Sequence, residues 1–260
     1  MAEQALPLSG QRVMVTRPAH QAQGQIDRLR ALGAEALSLP LLEIIPTNEC
    51  DTGDYQQCKG CILNLDLYTG VIFVSPNAAR IGADWIDRYW PQLPVGVRWI
   101  GIGRQTCETL EQFGFDAWHA EQGFDSETLL ADPSMQSVAE QRFLILRAEG
   151  GRDLLAETLR QRGARVDYAH IYRRVCPRYP DSIIQSTIYA QPLSAILITS
   201  GQALRNLLAL NGSHATDLTG IQIIVPSARL AELARSLGFT RIRVAPGPDD
   251  QSMVTALLPA

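Results

Sequence analysis

No apolar run in this chain of 260 residues exceeds what a strand needs. Stretches such as Val71 to Val74 and Ala195 to Ile198 fall far short of the ~20 residues that cross a bilayer. Met1 to Gly10 holds Glu3 but no Lys or Arg, and Pro7 breaks its short apolar stretch, so the parts of a signal peptide are missing. A cytoplasmic protein without a membrane segment is expected. Basic charge is scarce as well: the net charge of -4 gives no footprint for nucleic acid, which needs a basic face. His20, His119, His170 and His214 are scattered, and none pairs with a serine or carboxylate in a recognisable triad. There is no GxGxxG phrase for a dinucleotide. Five cysteines, an odd number without an export signal, argue for reduced thiols and against a disulfide framework. Cys58 and Cys61 have CxxC spacing with Cys50 nearby, but no second pair accompanies them, and they read as structural. No metal and no cofactor are expected.

What the sequence does have is repetition. Arg12-Val13-Met14-Val15-Thr16-Arg17, followed by a helical pattern closing on Gly33-Ala34, recurs as Arg142-Phe143-Leu144-Ile145-Leu146-Arg147 with a helix closing on Gly163-Ala164. Val71-Ile72-Phe73-Val74-Ser75 answers to Ala195-Ile196-Leu197-Ile198-Thr199-Ser200. The segments from Ile100 to Phe115 and from Ile224 to Phe239 share a third pattern of strand, turn and helix ending on Gly-Phe. Strands are predicted near Val13 to Thr16, Val71 to Ser75, Val97 to Gly101, Phe143 to Arg147, Ala195 to Thr199, Ile221 to Val225 and Arg241 to Val244. Helices are predicted over Gln21 to Leu32, Asn77 to Tyr89, Arg104 to Phe113, Arg152 to Arg162, Gln202 to Leu210 and Ala228 to Leu237. Such alternation gives parallel sheets covered on both faces, and the doubling gives two α/β units of one design. A site shared between them would lie in the cleft.

Together these phrases resemble the uroporphyrinogen-III synthase family. The resemblance rests on Val13 to Pro18, Ile72 to Ala78, Gly150-Gly151-Arg152-Asp153-Leu154-Leu155, Ile171-Tyr172-Arg173-Arg174 and Ile198-Thr199-Ser200, in this order across nearly the whole chain. It implies two Rossmann-like or flavodoxin-like α/β domains with parallel sheets, joined by a two-stranded linker. Extended stretches at Leu37 to Ile45 and Val166 to Cys176 then suggest a discontinuous first domain, residues 1–39 with 175–260, a second over 45–168, and linker strands 40–44 and 169–174. The repeats alone are also compatible with a simple split into halves. Ile102-Gly103-Arg104-Gln105-Thr106 keeps a phrase frequent in the family, whereas its later copy reads Val225-Pro226-Ser227-Ala228-Arg229 and displaces the hydroxyl to Ser227.

The resemblance implies closure of hydroxymethylbilane with loss of water and inversion of ring D, a reaction in which holding a polyanion in a folded shape does much of the work. Carboxylates suit helix N-termini preceded by small polar residues, which points to Ser75, Asn77, Gly151, Thr199, Ser200 and Ser227, with Ser126 and Ser252 at later helix starts. As plain N-caps the same residues would each contribute about 1 kcal/mol. Arg17, Arg147 and Arg152 are candidates for clasping carboxylates bidentately, and of Arg173 and Arg174 an alternating strand lets at most one face the site. Tyr172 is the catalytic candidate, at a position the resemblance places near the cleft, where its hydroxyl would assist departure of the substrate hydroxyl. Hinge closure on substrate, a monomeric state and a transient contact with hydroxymethylbilane synthase complete the expectations. A cytoplasmic two-domain protein that binds an anion or tetrapyrrole without chemistry is the alternative. A glycosyltransferase with two facing α/β domains would want an acidic residue for the ribose, which is not identifiable.

Overall fold

Val13, Met14 and Val15 are consecutive and all fully buried, which only a strand covered on both faces allows. Their side chains alternate, Val13 and Val15 joining one core cluster and Met14 another. The repeated phrase behaves alike: Phe143 and Ile145 enter one cluster, Leu144 and Leu146 another. The computed structural model describes residues 6–121, 123, 125–212 and 218–258. Along these the strands are β1 Arg12–Val15, β2 Glu35–Ser38, β3 Glu43–Pro46, β4 Gly70–Phe73, β5 Arg98–Gly101, β6 Ala117–Trp118, β7 Arg142–Ala148, β8 Arg165–Val175, β9 Ala195–Leu197, β10 Gln222–Val225 and β11 Ile242–Val244.

They form a five-stranded sheet ordered β11-β10-β9-β1-β2 and a six-stranded sheet ordered β3-β8-β7-β4-β5-β6. Pairing is parallel wherever β1 meets β2 and β9, and wherever β4 meets β5 and β7. The chain divides accordingly into two compact units, one running to Glu43 and resuming at Val175, the other Ile44–Arg174. In the first unit the order is the flavodoxin-like 2-1-3-4-5. If β7, β8, β4, β5 and β6 are set where β1, β2, β9, β10 and β11 stand, the second sheet has the same order. The chain merely enters it at a different strand, so the repeated phrases belong to one sheet design permuted circularly. Gly33 and Gly163, at φ 89 and 86, end the equivalent helices in the left-handed conformation that a side chain would resist.

The stretches expected as linker strands overlap β3 and β8, which are neighbours in the second sheet. Leu37 to Ile45 is interrupted: β2 belongs to the first sheet, β3 to the second, and the buried Leu39 and Leu41 lie between them. Residues 169–174 are the later half of the continuous β8, paired with β7 from Arg142↔Arg165 to Ala148↔Tyr172, with an irregularity between Arg147 and Ala148. The helix expected from Arg152 starts at Leu154, with Asp153, at φ -96 and ψ 1, in the N-cap position. Helix Thr52–Leu63 was not expected. Gly53 and Gly60 weaken its propensity, and the stripe of buried Tyr55, Cys58 and Ile62 compensates. No helix among the described residues is long and apolar enough to cross a membrane.

Candidate active site

In open α/β sheets ligands bind beyond the carboxyl ends of the strands, where the strand order reverses. That point lies between β1 and β9 in the first unit and between β7 and β4 in the second. The sequence-predicted residues gather at these ends because each short apolar strand stops at a polar residue: Thr16 and Arg17 after β1, Ser75 after β4, Thr199 and Ser200 after β9, with Arg147 at the end of β7.

In the second unit Ser75 caps the helix Pro76–Tyr89, its Oγ accepting from the Ala78 N–H at 3.1 Å. Pro76 at the first helical position needs no N–H partner, which favours starting the helix here. The Tyr172 hydroxyl lies 3.1 Å from the same Oγ, and Arg174 Nη2 donates to the Tyr172 oxygen at 3.4 Å. Tyr172 reaches Ser75 from β8, two strands away, and is only 1% exposed. Arg173 points elsewhere, donating to Asp51 at 2.6 Å, so strand alternation leaves Arg174 alone beside the phenol. Among the described residues Arg174 pairs with no carboxylate. His170 stacks on Tyr168, with ring centroids 5.8 Å apart.

Arg147 does not stand free to clasp a ligand. Its guanidinium donates to Asp153 Oδ1 at 2.8 Å and to the Gly150 carbonyl at 2.5 Å, and lies 4.8 Å from the Tyr168 ring centroid. The residue is 7% exposed and braces the loop from Ala148 to Asp153. A Cβ on Gly151 would come within 2.6 Å of Arg147 Nη2, so a glycine suits the close approach. Hydrogen bonds from Tyr168 and then Arg147 hold the Asp153 carboxyl below the ordinary aspartate value, while burial and the neighbouring Asp153 raise that of Tyr168. Arg152 is exposed and paired with Glu127 at 2.6 Å. Asn77 occupies the first turn of the helix that Ser75 caps.

A cavity of about 340 Å³ opens beside this group, with Val74, Arg147, Gly151, Tyr168 and Arg174 among its walls. Two larger ones, about 960 and 530 Å³, lie beside β6 and beside the helices Thr52–Leu63 and Pro76–Tyr89. Neither is lined by any of the residues predicted to bind substrate or act in catalysis, whereas Arg147, Gly151 and Arg152 line the smallest, and size alone does not outweigh that.

The first unit repeats the pattern with different chemistry. Thr16 Oγ1 donates to the Leu197 carbonyl at 2.6 Å, tying the ends of β1 and β9 together. Ser200 caps Gly201–Asn211 through the Ala203 N–H at 3.1 Å, and Ser227 caps Ala228–Ser236 through the Leu230 N–H at 3.3 Å. Thr199 is half-buried just before the first of these caps. Ser227 stands where Gly103 stands in the other unit, whereas Thr106 is buried inside its helix. Arg17 is paired with Asp250. Ser126 and Ser252 are not the caps expected of them: Asp125 and Asp249, one or more residues earlier, take those positions.

Among the described residues no group of His, Cys, Asp and Glu could hold a metal ion. Burial pushes the Cys58 thiol up to about 12, so it stays protonated at neutral pH. Sequence reasoning overlooked the hydrogen bond between Ser75 and Tyr172 and the standing of Arg174. The only signal for the latter was strand parity with Tyr172.

Comparison with known proteins agrees across the chain. A family model described as uroporphyrinogen-III synthase HemD matches residues 25–255. The uroporphyrinogen-III synthase of Salmonella typhimurium is 34% identical over 94% of this chain and 99% of its own. That of Escherichia coli is 32% identical over the same shares. Among solved structures, a mutant uroporphyrinogen III synthase of Thermus thermophilus superposes with a TM-score of 0.62 at 12% identity, covering 95% of this chain and 96% of that one. The enzyme of Helicobacter pylori gives 0.59 at 12% identity, covering 95% and 98%. These two show a shared fold.

Proposed function

The chain belongs to the uroporphyrinogen-III synthase family and is a cyclising lyase of tetrapyrrole biosynthesis, and from that premise we propose that it closes hydroxymethylbilane at the group formed by Ser75, Tyr172 and Arg174. Loss of water from the terminal hydroxymethyl group leaves a cation conjugated to the ring nitrogen. Attack on it by the substituted carbon of ring D, followed by rearrangement, inverts that ring. The oxidation level does not change, so the step calls for shape and charge control and no electron carrier.

The observation that carries the reading is the phenol held between a helix N-cap and an arginine that pairs with no carboxylate among the described residues. A cation at Arg174 and the N-terminus of Pro76–Tyr89 both attract a substrate carboxylate. Asn77, Gly151 and Arg152 supply further donors for acetate and propionate groups in this unit, and Thr199, Ser200 and Ser227 are the carboxylate-binding candidates of the other unit taken by itself. Arg17 and Arg147, already paired with aspartates, serve by holding the ends of β1 and β7 in place, and their neutralised charge does not oppose the developing cation.

The test is an assay with freshly generated hydroxymethylbilane, followed by oxidation and separation of the type I and type III uroporphyrins. Predominant type III is expected. Type I alone, at the rate without protein, would sink the proposal.

A further inference from the structure

Hydrogen-bond accounting at the phenol separates two roles that the sequence assigns to one residue. Tyr172 Oη and Ser75 Oγ are 3.1 Å apart, a distance that allows either to donate. Were Ser75 the donor, the phenolic proton would have to find another acceptor within the protein. Tyr172 is 1% exposed, and its other contact, Arg174, is itself a donor. A buried O–H left without an acceptor is destabilising, whereas the opposite assignment satisfies it. Tyr172 therefore donates to Ser75.

Ser75 Oγ then accepts twice, from Tyr172 and from the Ala78 N–H. Both of its lone pairs are engaged, and the proton of its own hydroxyl is the donor that remains. Ser75 is half-buried and adjoins Val74, which lines the 340 Å³ cavity with Arg174. Resting on the reading above, we infer that Ser75 is the catalytic residue that donates a hydrogen bond to the departing hydroxyl of hydroxymethylbilane, and that Tyr172 is a positioning residue acting through it. Donation from Tyr172 fixes the serine rotor and polarises its O–H, as chained hydrogen bonds do. In the step itself the carbon–oxygen bond breaks with its electron pair on oxygen. Solvent protonates the departing hydroxide, and the ring that later closes returns a proton to solvent, so the net loss is one water.

The experiment compares kcat and KM for type III formation in Ser75→Ala, Ser75→Gly, Ser75→Thr, Tyr172→Phe and the double variant Ser75→Ala/Tyr172→Phe, with thermal unfolding of each. Glycine keeps most of the helix-capping preference, so Ser75→Gly separates loss of the hydroxyl from loss of the cap. Ser75→Ala and Ser75→Gly are expected to lower kcat at least tenfold with KM within twofold, and Ser75→Thr to restore it. Tyr172→Phe is expected to lose only a few-fold, and the double variant to match Ser75→Ala. A Tyr172→Phe loss as large as that of Ser75→Ala, multiplying with it in the double variant, would overturn the assignment and leave the phenol as the group touching substrate. A wild-type chain that makes only type I would remove the premise together with the inference, and is told apart by that result alone.

Discussion

The carboxyl ends of β1 and β7 are the same position in two copies of one sheet, and they have been put to different use. Each carries an arginine neutralised by an aspartate. Arg17 finds its partner 233 residues away in Asp250, whereas Arg147 finds Asp153 only six residues on. The strand beside each differs more. β2 stops after four residues at Ser38, while β8 runs for eleven and places Tyr172 and Arg174 beside the helix cap. On the shorter side the chain continues through Leu39 and Leu41, both buried, and Leu41 offers only backbone groups, its N–H to the Thr16 carbonyl at 3.0 Å and its carbonyl to Asn206 at 2.7 Å. Duplication supplied two helix ends suited to anions, and lengthening one strand gave one of them a phenol and a cation.

Removing the two arginines tests how unequal the ends are. Arg147→Ala empties a buried site, strips two hydrogen bonds and leaves Tyr168 with Arg160 as its one remaining cation among the described residues, and is expected to cost about 2–3 kcal/mol by urea unfolding. Arg17→Ala, in a pair that is about one quarter exposed on each side, is expected to cost about 1 kcal/mol or less. Equal costs would break the comparison. A finer probe is Ser200→Ala, which removes a cap with no phenol behind it. About 1 kcal/mol of stability should go, and KM should rise with kcat within about threefold, unlike the kcat loss at Ser75.

The smallest contrast is with pH. Asp153 in one unit is held below the ordinary aspartate value of 3.8, chiefly by Tyr168, and Asp249 in the other chiefly by Ser252. A depressed folded value means stabilisation that is complete above the unfolded value and is lost as pH falls through the folded one. Urea midpoints should thus stay level from neutrality to about 4 and decline only below 3.8, in both units alike. A decline beginning between pH 5 and 6 would contradict these assignments.

Much of this architecture was legible because a buried parallel strand leaves an unmistakable run of apolar residues, and because the runs recur with the same polar residue at their ends. The parts that were not legible depend on partners the chain meets only when folded. β6 is two residues long and exists by pairing with β5. Helix Thr52–Leu63 contains two glycines and is held by what it covers. At Asp125 and Asp249 a carboxylate caps where a serine close behind looked equally suitable. The partners of Arg17 and Arg147 were not legible because nothing local in the sequence announces Asp250, and because Gly150 and Gly151 disguise how closely Asp153 folds back. Tyr172 was legible only through the family resemblance, and its burial and attachment to Ser75 were not.

The permuted second unit also dictates an order of events on the ribosome. β1 emerges first, yet Val13 must pair with Ala195, and β9 cannot appear until the whole of Ile44–Arg174 has been synthesised. The unit that begins the chain is consequently the last to close. Its first strand, apolar on both faces, has β2 to pair with at once, but its other edge stays open through the translation of a complete domain until β9 arrives.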